Sequence, residues 1–99
     1  MKTIRAVAFQ SGDYWMAQCL EHNLAALAVR LEDLPSELSR VLTLHVEASR
    51  QNGVEPFTGF PPAPRRFWKM YESSRSQVTP IFGTVRQNEL LEIDTRIAA

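Results

Sequence analysis

The sequence predicts an α+β domain: a mostly antiparallel sheet of three or four strands with one long helix packed on a single face. Three observations carry this. Short β-prone segments follow one another at residues 3–9, 13–19 and 24–30, a strongly periodic helical segment spans 33–52, and an alternating segment closes the chain near 89–97. The element order is β-β-β-α-β.

Residues 3–9 (Thr-Ile-Arg-Ala-Val-Ala-Phe) are short and β-branched at several positions. Ser11-Gly12 predicts a two-residue turn, with the glycine free to take a positive φ. Residues 13–19 form the second strand, Leu20-Glu21-His22-Asn23 the connection, and 24–30 the third strand. This scheme sets Phe9 opposite Tyr14, Val7 opposite Met16 and Ala8 opposite Trp15. Across the next pair it sets Cys19 opposite Leu24, Ala17 opposite Ala26 and Met16 opposite Leu27.

Side chains alternate across a sheet, so the two registers must agree on faces, and they do. One face carries Ile4, Ala6, Ala8, Trp15, Ala17, Cys19, Leu24, Ala26 and Ala28, mostly small residues that let a helix approach closely. The other carries Val7, Phe9, Tyr14, Met16, Leu27 and Val29, with Arg5 and Gln18 at one end. An antiparallel sheet with one wet face alternates apolar and polar residues. Neither face is polar here, so both are expected to be covered.

Residues 33–52 read as the long helix. Asp33 is the expected N-cap, and Pro35 falls in the first turn, where proline is tolerated. Leu34, Leu38, Val41, Leu42, His45 and Ser49 recur at helical spacing, with Leu44 and Val46 widening the stripe. Asn52-Gly53 is a stop signal, with Val54 placed for the contact that often follows. Following the third strand directly, this helix should fold back onto the small-residue face.

Residues 1–54 thus form a β-β-β-α core. Residues 55–76 read as a proline-rich loop and a short helix. Pro56, Pro61, Pro62 and Pro64 block ladder and helix alike, and a helical pattern resumes at 64–74 with Phe67, Met70 and Tyr71 on one side. Ser73 to Ser76 reads as a linker. In the closing segment, 77–99, Leu91, Ile93, Thr95 and Ile97 alternate with Glu92, Asp94 and Arg96, the pattern of a strand with one wet face. That strand either completes the sheet or pairs with another copy. All three segments belong to a single domain.

With 99 residues, 44% of them apolar, the chain has material for one modest core. Eleven basic and eleven acidic side chains cancel, which argues against a protein that coats nucleic acid or an anionic membrane and fits self-association. A single cysteine, Cys19, excludes an intramolecular disulfide. Met1 to Phe9 carries Lys2 and Arg5 and no long apolar run, so no signal peptide is read there, and no stretch approaches the roughly 20 apolar residues of a membrane span. The expected setting is the cytoplasm, without membrane association.

Several groupings invite a chemical reading. Cys19, Glu21 and His22 are close in sequence, but a metal needs three or four ligands and the other histidine, His45, lies far along the chain. A Cys19/His45 pair is the enzymatic alternative, since the stripe bearing His45 should face Cys19; no residue orients the histidine and no oxyanion-binding motif accompanies it. A hydrogen-bonded, partly buried histidine accounts for His45 better. Asp13, Glu32, Asp33 and Glu37 have turn, capping and first-turn roles rather than a shared site. No catalytic residue, metal or cofactor is therefore expected.

Arg65, Arg66, Lys69 and Arg75 surround Phe67, Trp68 and Tyr71, a mixture that can contact single-stranded nucleic acid. The plainer reading docks Phe67, Met70 and Tyr71 and leaves the charges in water, with Trp68 the residue it explains least. The sharper candidate is the bulky sheet face: Val7, Phe9, Tyr14, Met16, Leu27 and Val29 form an interface patch wherever the second helix does not cover them.

Tyr14-Trp15, Ala17-Gln18-Cys19, the acidic loop Leu20-Glu21-His22, the apolar strand Leu24 to Val29 and the helix from Asp33 onward together resemble the HicB-like antitoxin domain. The resemblance covers roughly the first half of the chain. Residues 55–99 resemble neither the helix-turn-helix nor the ribbon-helix-helix segment that such antitoxins usually carry. It implies a non-catalytic protein-binding module that forms a dimer or tetramer and neutralises a small toxin-like protein. The alternatives are a nucleic-acid-binding regulator using Arg65, Arg66, Trp68 and Lys69, and a Cys19/His45 enzyme.

Overall fold

The computed structural model describes the backbone of residues 2–74, 76–77, 81–86 and 89–98, and the side chains of 3–74 and 93–98. Arg75 and the side chains of Leu91 and Glu92, which figure in the expectations above, lie outside the described residues. Strands β1 (Lys2–Ser11), β2 (Tyr14–Cys19) and β3 (Ala25–Ala28) lead into helix α1 (Leu34–Gln51). Helix α2 (Arg65–Ser73) and strands β4 (Ser76–Gln77), β5 (Ile81–Arg86) and β6 (Glu89–Ile97) follow. The sheet runs β3-β2-β1-β6, with β4 and β5 both on the outer edge of β6.

The α+β class, the long helix on one face and the β-β-β-α-β order are all present. The sheet is mixed, because β6 lies parallel to β1, pairing Lys2 with Leu91 and Ala8 with Ile97. The closing strand therefore completes its own sheet. Strands β4 and β5 stand where no strand was expected, beyond the three or four anticipated.

The first turn differs in position. Strand β1 runs on to Ser11, which pairs with Tyr14, so Gly12 and Asp13 make the turn and Gly12 takes φ +63°. Phe9 faces Met16 and Ala8 faces Ala17, two residues from the expected pairing. A shift of two preserves side-chain parity, so the composition of each face stands. Across the second pair, Met16 faces Leu27 and Ala17 faces Ala26, as expected.

The small-residue face is the main core. Ile4, Ala6, Ala8, Ala17, Cys19, Ala26 and Ala28 pack against Leu34, Leu38, Leu42 and Val46 of α1, with Ile93 of β6 joining them. Alanine at these positions lets the helix backbone come close. Leu44, by contrast, is 58% exposed and lies off the stripe. Asp33 occupies the N-cap position but makes no side-chain capping bond. Residues Leu31–Asp33 form a 3-10 turn that leaves Asp33 itself helical (φ −91°, ψ −12°), whereas a capping side chain needs an extended backbone. The stop is as read: Gly53 takes φ +70° and the Val54 amide returns to the Ser49 carbonyl, although the Val54 side chain stays exposed.

The proline-rich segment carries the chain from one face of the sheet to the other. Phe57 belongs to the core beneath α1, while Ala63 and Phe67 belong to a second core formed with Val7, Leu20 and Tyr71. Two backbone bonds tie this crossing to the β2–β3 loop: Asn23 N–H to Pro61 C=O at 2.8 Å and Ala63 N–H to Leu20 C=O at 2.9 Å. Gln18, buried on the α2 side, steadies the same loop through Nε2, which donates to Asn23 Oδ1 at 2.9 Å. Among the described residues no helix is long and apolar enough to cross a membrane.

Candidate binding surface

The bulky face divides in two. Helix α2 covers the β1 side: Val7 is fully buried and Phe9 stacks on Phe67 at 5.7 Å between ring centroids. The β2–β3 side has no such cover. Tyr14 is 51%, Leu27 52% and Val29 68% exposed, with Met16 half-buried among them. Of the six residues singled out as a patch, Val7 and Phe9 are thus packed within the chain. Tyr14, Met16, Leu27 and Val29 remain as an apolar corner of the molecule.

Strand β3 is also the end of the sheet. The Cys19 N–H donates to the Leu24 C=O at 2.8 Å, which marks 19/24 as a hydrogen-bonded pair. Antiparallel pairs alternate, so Ala26 and Ala28 direct their backbone groups to β2, and Ala25 and Leu27 direct theirs outward. Leu27, whose side chain helps build the exposed corner, also has its amide and carbonyl on the sheet's edge. No proline or charged residue occupies Leu24 to Val29, so among the usual guards of an edge strand β3 has its short length of four residues and no charge or proline.

The α2 side explains Trp68. Its indole Nε1 donates to the Ala63 C=O at 3.2 Å and its ring lies under the Arg5 guanidinium, 4.7 Å from the centroid. Arg5 is held in turn by Glu21, whose carboxylate pairs with the guanidinium and accepts the Arg5 backbone N–H at 2.8 Å. Phe67 and Tyr71 are buried, and Arg65, Arg66 and Lys69 are exposed. Arg66 folds over the Phe67 ring at 4.6 Å. The basic residues therefore surround rings that are already engaged.

Asp94 and Arg96, on the expected wet face of β6, are half-buried and engage α2. The Tyr71 hydroxyl donates to Asp94 Oδ2 at 2.9 Å, and Arg96 donates to the Tyr71 C=O at 3.3 Å while lying 4.2 Å from its ring centroid. Burial, and then the hydrogen bond to Asp94, push the Tyr71 phenol above its ordinary pKa.

Glu21, His22 and His45, named in the metal and enzyme readings, are engaged by other groups. Glu21 turns to Arg5, and the His22 ring stacks on Phe57 at 4.3 Å. His45 is half-buried; its Nε2 accepts the Phe57 N–H at 3.1 Å, and its ring stacks on Phe57 at 5.2 Å and meets Phe60 edge-on at 4.5 Å. Among the described residues no three His, Cys, Asp or Glu side chains converge as metal ligands. Glu32 pairs with Arg30 and Glu37 with Arg40.

Burial, and then the neighbouring Glu21 carboxylate, push the Cys19 thiol from an ordinary value of 9.0 up to about 12. A nucleophilic cysteine needs the opposite shift. The native protein is therefore expected to resist thiol reagents at about pH 8 and to label only when unfolded. The folded thiol keeps its proton through the range in which the unfolded one loses it. Stability from this group is thus complete below about pH 9 and falls as pH rises towards 12, by up to about 1.4 kcal/mol per pH unit. Melting temperatures across that range, compared between wild type and Cys19→Ala, should show a shallower decline in the variant.

Two buried residues had no signal in the periodicity. Leu20, read as loop, is fully buried against α2, and Phe57, read as part of a proline-rich loop, sits in the α1 core. Against family models, curated proteins and solved structures alike, the chain finds no match.

Proposed function

We propose that the chain is a non-catalytic, cytoplasmic binding module of the HicB-like antitoxin type, which self-associates and offers its β2–β3 corner to another protein. One observation carries this reading: α2 covers Val7 and Phe9 on the bulky face but leaves Tyr14, Leu27 and Val29 in water. A contiguous apolar corner on an otherwise well-packed small domain marks an interface. A protonated Cys19 thiol and a His45 nitrogen occupied by a backbone amide fit a role without covalent chemistry.

Light scattering on the purified chain should give a mass above the 11.3 kDa of one copy. Co-expression with a small toxin encoded beside it should restore growth, and Tyr14→Lys with Leu27→Lys should remove the protection while leaving the circular dichroism unchanged. A monomer that neither binds nor protects would sink the proposal. Salt-dependent retention on single-stranded DNA, lost in Arg65→Ala/Arg66→Ala, would turn the assignment towards the nucleic-acid alternative.

A further inference from the structure

We infer that His45 and Phe57 form an acid-released latch: the crossing segment is fastened beneath α1 while the His45 imidazole is neutral, and is let go when that ring takes up a proton. The inference stands apart from the binding-module reading above.

The bond itself sets the requirement. His45 Nε2 accepts the Phe57 N–H at 3.1 Å, so this nitrogen carries a lone pair and the ring's proton sits on Nδ1. A backbone N–H has no lone pair to offer in return. Once Nε2 is protonated, two donors face each other and the bond is lost. The ring is half-buried, so solvent protons have access to it.

The segment gains by being released. Phe57 holds φ +67°, a left-handed conformation that strains a residue bearing a Cβ. Its turn closes on itself, through Thr58 N–H to Glu55 C=O and Phe60 N–H to Phe57 C=O, both at 3.2 Å. Neither of those bonds reaches α1, whereas the bond to His45 does. Further along, Asn23 with Pro61 and Ala63 with Leu20 are joined by backbone groups alone, which do not titrate. Release therefore frees residues 55–60 and leaves 61–63 in place.

Among the described side chains, the groups around the ring do not counter this. On α1 the residues one turn from His45 are Val41, Leu42, Ala48 and Ser49, and the charged Glu47 and Arg50 pair with each other at 2.6 Å. The sheet presents Cys19 and Thr95 to the helix side, both uncharged across the acid range. On the β2–β3 loop, Glu21 is engaged by Arg5, and His22 stacks on the Phe57 ring. A protonated His22 sets its charge against a ring face, which is an attraction, so release belongs to His45. Glu55 on the crossing segment is exposed, and solvent screens it.

An imidazole freed into water protonates near pH 6.5. The open form binds a proton that the closed form excludes, so opening grows as pH falls, by about tenfold between about pH 7.5 and 5.5.

The test is amide exchange of the full chain, residue by residue, corrected for intrinsic rates. Protection at Phe57 should fall about tenfold over that interval, while Asn23 and Ala63 keep theirs. His45→Gln supplies an oxygen that accepts the amide and takes up no proton, so it should hold Phe57 equally at both ends of the interval. His22→Gln should retain the wild-type fall. Nitrogen-15 spectra of the wild type should show Nε2 without a proton at neutral pH, and the titration that protonates it should coincide with a shift of the Phe57 amide. Flat protection at Phe57, a fall shared by Asn23 and Ala63, a fall that persists in His45→Gln, or one abolished by His22→Gln overturns the latch. Should His45→Gln fail to fold, a wild-type ring already carrying its neutral-pH proton on Nε2 overturns it equally.

Discussion

Phe57→Ala is expected to destabilise the fold by about 3–5 kcal/mol, the range for emptying a buried aromatic site. The ring is buried and stacks on two imidazoles, His22 and His45, both near-parallel to it. The Phe57 amide is bound as well, to His45 Nε2. Through this residue the crossing segment is fastened to the core beneath α1. Phe57 also takes φ +67°, a left-handed conformation that strains a residue bearing a Cβ by about 1 kcal/mol or more. Phe57→Gly removes the same ring and relieves that strain. It should therefore be the milder substitution by about 1 kcal/mol, although it deletes more atoms. Urea midpoints for the two variants decide this, and a glycine variant weaker than the alanine one would show that no strain is held there.

Leu42→Ala should cost about 2–5 kcal/mol. Leu42 is fully buried where α1 meets the alanines of β1 and β2, and a sheet surface of small residues has little side chain with which to fill the void. Leu44→Ala, two residues along the same helix and 58% exposed, should change stability by about 0.5 kcal/mol or less. A large loss at Leu44 would mean that its face is buried in an assembly, so the pair also reports on which sides of α1 are free.

Local pattern made much of this fold legible. The β2–β3 register followed from a short connection and the need to keep Ala17 and Ala26 on one face. The first turn was misplaced because Ser11 and Gly12 both suit a turn, and nothing local says that β1 continues through Ser11. The division of faces survived because the error was two residues. Strand β5 has β-prone residues, Ile81, Phe82, Thr84 and Val85, but Gly83 interrupts them and leaves no clear alternation to mark a strand. The helical stripe of α2 was readable, yet which part of the sheet it covers depends on the path of the proline-rich segment. That path is set by long-range contacts such as Ala63 with Leu20. The binding corner was therefore legible as a set of apolar residues, but its division into covered and open halves was not.

The parallel pairing of β1 with β6 governs how the molecule can be made. Strand β1 is an interior strand whose two neighbours emerge at very different times: β2 leaves the ribosome almost at once, and β6 only after both helices and the other strands described here. Residue 2 must find residue 91, so closing the sheet spans nearly the whole chain and should be the slow step of folding. Until then the nascent protein carries a bare edge along its own central strand. Any other extended chain could occupy that edge first, and the hazard to yield during synthesis lies there rather than at the finished surface.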